Sequence, residues 1–212
     1  MHKTFRLLLM AALSMSIVNQ TAEAGFIGMP RALRSSVDRI NFDAPTLPPL
    51  AYTAFCLRYQ DECKGGQRVV FRGGRMQMDD QRWAELAAVN LKVNSAIRPE
   101  RNEGGLASEK WLINPDRGDC NDYAVTKRHE LMKRGWAARN LLLSEVVTRW
   151  GEHHLVLVVR TEKGDVVLDN LATQIRTWRQ APYKWVRIQR PDNGRFWSTV
   201  AMRDRSRIDP IG

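Results

Sequence analysis

The hydrophobic period of this chain changes once, near residue 140, and that change decides what it can fold into. Between Asp79 and Ile97 the positions Trp83, Leu86, Ala87, Asn90, Val93 and Ile97 follow helical spacing, and Pro99 ends the pattern. A second helix is predicted from Asp119 to Arg134, with Ala124 and Leu131 toward a core, Lys127 and Arg128 toward a polar face, and Gly135 as the stop. Downstream the period is 2. The runs NLLLSEVVT (140–148), HHLVLVVR (153–160), DVVLDNL (165–171) and YKWVRIQ (183–189) are rich in Val and Leu and separated by turn residues, which predicts strands. Helices followed by an antiparallel meander make an α+β fold.

The N-terminus sets the compartment. Lys3 and Arg6 precede an apolar run, Leu7 to Val18, that is too short to span a bilayer, and Ala22-Glu23-Ala24 has the small-x-small form of a signal peptidase site. Residues 1–24 therefore read as a cleaved secretory signal; the alternative, an uncleaved anchor, is disfavoured by Asn19, Gln20 and Thr21. The remaining roughly 190 residues suit one domain. Within it, residues 25–78 form an extended lead-in with Pro30, Pro45, Pro48 and Pro49, a polar cysteine loop and a strand-like RVVF, and residues 79–212 form the core. The chain carries a net charge of +10; the leader holds Lys3, Arg6 and Glu23, a net +1, so its removal leaves +9, spread rather than clustered. That surface favours acidic partners, and an exported protein is not expected to bind nucleic acid.

In an oxidising compartment the three cysteines divide unequally. Cys56 and Cys63 stand close in FCLRYQDEC and are expected to pair, which leaves Cys120 alone in RGDCNDYA. Asp119 is a good helix N-cap and Asp122, three residues on, a capping partner, so Cys120 falls in the first helical turn. Free backbone N–H groups and the helix dipole lower a thiol's pKa there, the two aspartates oppose them, and a basic partner is still required. His2 leaves with the signal and His129 lies mid-helix on a solvated face, so His153 and His154 remain. If TEKG (161–164) is a four-residue hairpin loop, Arg160 opposes Asp165 and Val156 faces Asp169. His154 and Asp169 are then diagonal neighbours on one face, roughly 7 Å apart at the backbone, and His153 points to the other face. A one-residue change of register would exchange the two histidines. Asp169 is costly inside VVLDNL unless something pairs with it.

These residues resemble the bacterial transglutaminase-like cysteine proteinases, of the papain and transglutaminase superfamily, through GDCNDYAVTKRHELMKRGW, HHLVLVV and VLDNL, with AVNLKVNSAIRPE upstream. The resemblance covers about residues 80 to 190 and implies a periplasmic cysteine peptidase with Cys120 as nucleophile, His154 as base and Asp169 as orienting acid. It further implies a protein substrate of the surface-adhesin kind, release of biofilm cells, an inner-membrane receptor that sequesters the enzyme, and calcium held by Asp119, Asn121 and Asp122. Three positions depart from the family pattern. Asn121 stands where Glu is usual, Leu155 replaces Met, and the glycine-containing RPERNEGGLASEK balances its basic and acidic residues where an acid-rich stretch is common. Acyl transfer to water gives proteolysis, and to an amine, transamidation on envelope polymers; a binding module that keeps the triad as a relic is the remaining alternative. Trp111 has two readings, wall of the acyl site or core.

Overall fold

The computed structural model describes residues 39–64, 75–105 and 109–201. The leader at 1–24 and the RVVF segment at 68–71 lie outside them.

Both helices foreseen from the period are present, and each begins on an aspartate. Asp79 accepts the Arg82 N–H at 2.7 Å and opens one helix, Asp80–Ala96, which buries Trp83, Leu86, Val89, Asn90 and Val93. The other, Cys120–Lys133, starts on Asp119 and ends before Gly135, whose φ of 82° suits glycine at a helix stop. Two shorter helices stand where a polar loop was expected: Leu50–Arg58, which buries Ala51, Tyr52 and Phe55, and Gln60–Cys63. The reason is aromatic packing. Tyr52 and Phe55 meet Trp111 at ring-centroid distances of 5.7 and 6.2 Å, and a helical turn is what brings them to one side. In chain order the helices are α1 (Leu50–Arg58), α2 (Gln60–Cys63), α3 (Asp80–Ala96) and α4 (Cys120–Lys133).

The strands of the main sheet are β1 (Phe42–Thr46), β4 (Leu141–Val147), β5 (His153–Thr161), β6 (Gly164–Leu168), β7 (Arg176–Thr177), β8 (Lys184–Gln189) and β9 (Trp197–Val200). A parallel pair, β2 (Arg98–Pro99) with β3 (Arg117–Gly118), leads into α4. The main sheet is antiparallel in the order β1-β9-β8-β4-β5-β6-β7. The meander therefore holds only from β4 to β7. The chain then crosses back, and β8 pairs with the far side of β4. In the β5–β6 hairpin Arg160 faces Asp165 and Leu157 faces Leu168, the expected register, although Thr161 and Gly164 also pair and shorten the loop to Glu162 and Lys163. Removing one residue from each side leaves every other pair unchanged.

Alternation along β5 sorts two cores. Leu155, Leu157 and Val159 pack with Val125, Leu131 and Leu86 of the helices; Val156 and Val158 face a second cluster with Trp178, Trp185 and Ile188. The polar face expected for α4 is not solvated: Lys127 and Arg128 are buried. Arg128 donates through Nη1 to the Glu62 carbonyl and carboxylate at 2.8 Å each and through Nε to the Leu141 carbonyl at 3.1 Å. Glu62 also meets His129 Nδ1 at 2.6 Å, so His129 has a carboxylate partner where a solvated face was expected. Because Cys63 is bonded to Cys56, with Cα atoms 5.5 Å apart, the disulfide pins the same short helix that holds α4. The chain-entropy contribution of such a loop is about 2 to 3 kcal/mol.

Candidate active site

Cys120 opens α4, and its neighbours are locked by a capping box. Asp119 Oδ1 accepts the Asn121 N–H at 2.9 Å, while Asp122 Oδ2 accepts the Asp119 N–H at 3.0 Å. The other oxygen of Asp122 accepts the Leu112 N–H at 2.6 Å, tying the preceding loop to the helix start. Gly118 makes this possible: a Cβ there would stand 2.2 Å from Asp122 Oδ2. Glu109 completes an acidic group that the motifs did not include, since its Oε1 accepts both the Trp111 Nε1–H and the Asn121 Nδ2–H at 2.7 Å.

Cys120 is a free thiol. Burial pushes its pKa up to about 12, a backbone hydrogen bond from Leu155 works against this, and the charges of Asp119, Glu109 and Asp122 add to it. Desolvation and the three carboxylates therefore work against the lowering that the helix start supplies, and the net direction is upward. The Leu155 contact also places the thiol beside the residue that follows His154.

His154 is buried at the start of β5, with Nε2 2.9 Å from Asp169 Oδ1. His153 is exposed and bonds Glu145 at 2.6 Å instead. Asp169 follows β6 and is gripped on all its oxygens. Oδ1 also accepts the Leu171 N–H at 3.0 Å, Oδ2 accepts the Tyr183 hydroxyl, and the main-chain carbonyl accepts Asn94 Nδ2 at 2.9 Å. Burial alone would raise the Asp169 pKa, but the hydrogen bond and charge of His154, helped by Tyr183 and the Leu171 N–H, hold it below the usual carboxylate value. Lys127, buried on α4, has its amine pulled down to about 7 by burial, with Asp169 pushing back.

The structure thus sets Cys120 among Asp119, Asn121 and Asp122 and against Leu155, next in the chain to the His154 that pairs with Asp169, and it adds Glu109, Asn94 and Tyr183 and a packing reason for Gly118. Asn94 had a signal in the Val-Asn repeat of AVNLKVNSAI. Gly118 stood in the GDCNDYA motif without a stated role, and Tyr183 had no signal, since only packing shows what they touch. Trp111 is 2% exposed and belongs to the core. Among the described residues no group of three or more His, Cys, Asp or Glu side chains is arranged to hold a metal ion.

The profile of the bacterial transglutaminase-like cysteine proteinases (BTLCP) matches residues 42–205. No curated protein matches the sequence. Among solved structures the chain is similar to calcium-bound LapG of Legionella pneumophila, at 22% identity over 57% of this chain and 71% of that one, with a TM-score of 0.49. Its EGTA-treated form matches at 22% identity over 57% and 69%, with a TM-score of 0.47.

Proposed function

The chain belongs to the bacterial transglutaminase-like cysteine proteinases, and from that premise we propose that Cys120, His154 and Asp169 are its catalytic triad. The observation that carries this reading is the buried contact of His154 Nε2 with Asp169 Oδ1 at 2.9 Å, in a histidine whose neighbour Leu155 touches the thiol. With Nε2 engaged, Nδ1 is the nitrogen left to take a proton. A thiol that is neutral at rest gives up its proton to His154 as it attacks the peptide carbonyl. Asp169 fixes the ring and stabilises the imidazolium, and the Cys120 N–H, which has no intrahelical acceptor at this position, faces the developing oxyanion. His154 then protonates the leaving amine, and water cleaves the thioester.

The cysteine proteinase acts on a protein. Resemblance to adhesin-releasing family members supports a large surface adhesin as that substrate and an inner-membrane receptor as the protein that sequesters the enzyme. The leader-like N-terminus and the Cys56–Cys63 disulfide support a periplasmic address. Among the described residues no helix is long and apolar enough to cross a membrane.

Calcium takes no step in this mechanism. It requires six to eight oxygen ligands, whereas both Asp122 oxygens and Asp119 Oδ1 accept backbone N–H groups and Asn121 turns its amide nitrogen to Glu109. As they stand, Asp119, Asn121 and Asp122 cap a helix and do not form a calcium shell. Proteomics of the cell surface and medium tests the function: a Cys120→Ala copy should retain on the cell one or more large proteins that the wild type releases. An unchanged surface would defeat the reading.

A further inference from the structure

Tyr183 belongs to no motif, and it reaches the site because of the crossover. After β7 the chain returns over the second-core face of the sheet, where Trp178 and Ala181 are buried, and delivers Tyr183 just before β8. His154 shares the parity of Val156 and Val158 on β5, so it faces the same side; the two rings stand 5.6 Å apart.

Asp169 Oδ1 receives two donors, His154 and Leu171, and Oδ2 receives the Tyr183 hydroxyl. A carboxylate held on one oxygen alone can swing about Cβ–Cγ and exchange the oxygen it offers; one held on both cannot. We propose that Tyr183 is a positioning residue of this peptidase, acting through Asp169 to keep Oδ1 aimed at His154. Burial and the charge of Asp169 keep the phenol protonated, so it stays a donor throughout the working pH range. Tyr183 supplies no proton and forms no covalent bond.

The proposal rests on Asp169 being the orienting acid, so its test is a double-mutant cycle that judges the two separately. The probe is an internally quenched peptide chosen from a library on the full-length wild-type enzyme. Tyr183→Phe, which keeps the ring, should lower kcat about tenfold with KM nearly unchanged, the scale of a hydrogen bond to a charged group. In an Asp169→Asn background the same change should cost less than about twofold, because the residue has lost what it acts through. The ring N–H proton of His154, followed by NMR, should shift in Tyr183→Phe while the melting temperature holds. A full tenfold loss in both backgrounds, a loss confined to KM, or an unmoved imidazole proton overturns the proposal. Near wild-type activity of Asp169→Asn alone overturns the triad instead.

Discussion

Asp122 and Asp169 are aspartates of equal burial, 5% exposed each, and their carboxyls are driven in opposite directions. Asp122 is raised to about 6, chiefly by burial, with the Leu112 N–H working against it and the charges of Asp119 and Glu109 reinforcing it. Asp169 suffers the same burial and is nonetheless lowered, because an imidazole, a phenol and a backbone N–H all donate to it. Burial therefore does not by itself set the state of an acid in this molecule; the neighbouring charge decides, carboxylates beside Asp122 and His154 beside Asp169. On the helix side Asp119 and Asp122 resist ionisation beside the thiol, and on the sheet side Asp169 is secured as an anion. In the proposed mechanism a thiol between them keeps its proton until His154, on the sheet side, takes it.

The largest effects should come from the thiol and the sheet side. Cys120→Ala and His154→Ala should abolish turnover of a quenched peptide, and Asp169→Asn should lower kcat by about a thousandfold or more while leaving measurable turnover, since orientation is lost and the base survives. Intact folding by circular dichroism is expected in all three. An Asp169→Asn enzyme of normal activity would break the contrast at its stronger half.

Next comes Gly118→Ala, which drives a methyl into Asp122 Oδ2 and so attacks the helix side alone. Overpacking together with the lost cap should cost about 2 to 3 kcal/mol, read by thermal denaturation, and activity should fall because the first turn carries Cys120, the proposed nucleophile. A variant with unchanged stability would show that the cap yields without cost.

The opposite shifts also predict opposite responses to pH. A carboxyl raised to about 6 from 3.8 contributes stability that is present below the unfolded value and lost as pH rises through about 6. Asp169 behaves conversely: its contribution is present at neutral pH and lost as acid protonates it. The difference in melting temperature between wild type and Asp122→Asn should therefore grow in favour of the wild type from pH 7 to pH 5. For Asp169→Asn the difference should shrink once pH falls below the usual carboxylate range. Parallel curves would remove the distinction.

Two smaller effects sharpen it. Alkylation of resting Cys120 by iodoacetamide should be slow at neutral pH and still be rising above the usual thiol value near 8.5, in keeping with a thiol pushed up to about 12. Rapid labelling at pH 6 would mean that the helix dipole prevails after all. His153→Ala should change kcat by less than about twofold, since its partner is the half-buried Glu145 and its side chain is in solvent.

What could be read directly from the chain was local. Asp119 as a cap, Gly135 as a stop, the change of period near residue 140 and the β5–β6 register all depend on neighbours within a few residues, where propensity and side-chain parity act without outside help. The same holds for the approach of His154 to Asp169, because one hairpin contains both. Tertiary structure decided the rest, for reasons of distance and desolvation. No local pattern states that β8 pairs with β4 rather than continuing the meander, yet that choice carries Tyr183 to Asp169. A lysine and an arginine at positions 127 and 128 look like a solvated face until Glu62, 66 residues away from Arg128, supplies the carboxylate that lets the arginine be buried. The thiol's pKa depends in the same way on what surrounds it: the sequence placed Cys120 at a helix start, and only packing showed that burial there, beside Glu109, Asp119 and Asp122, outweighs the dipole.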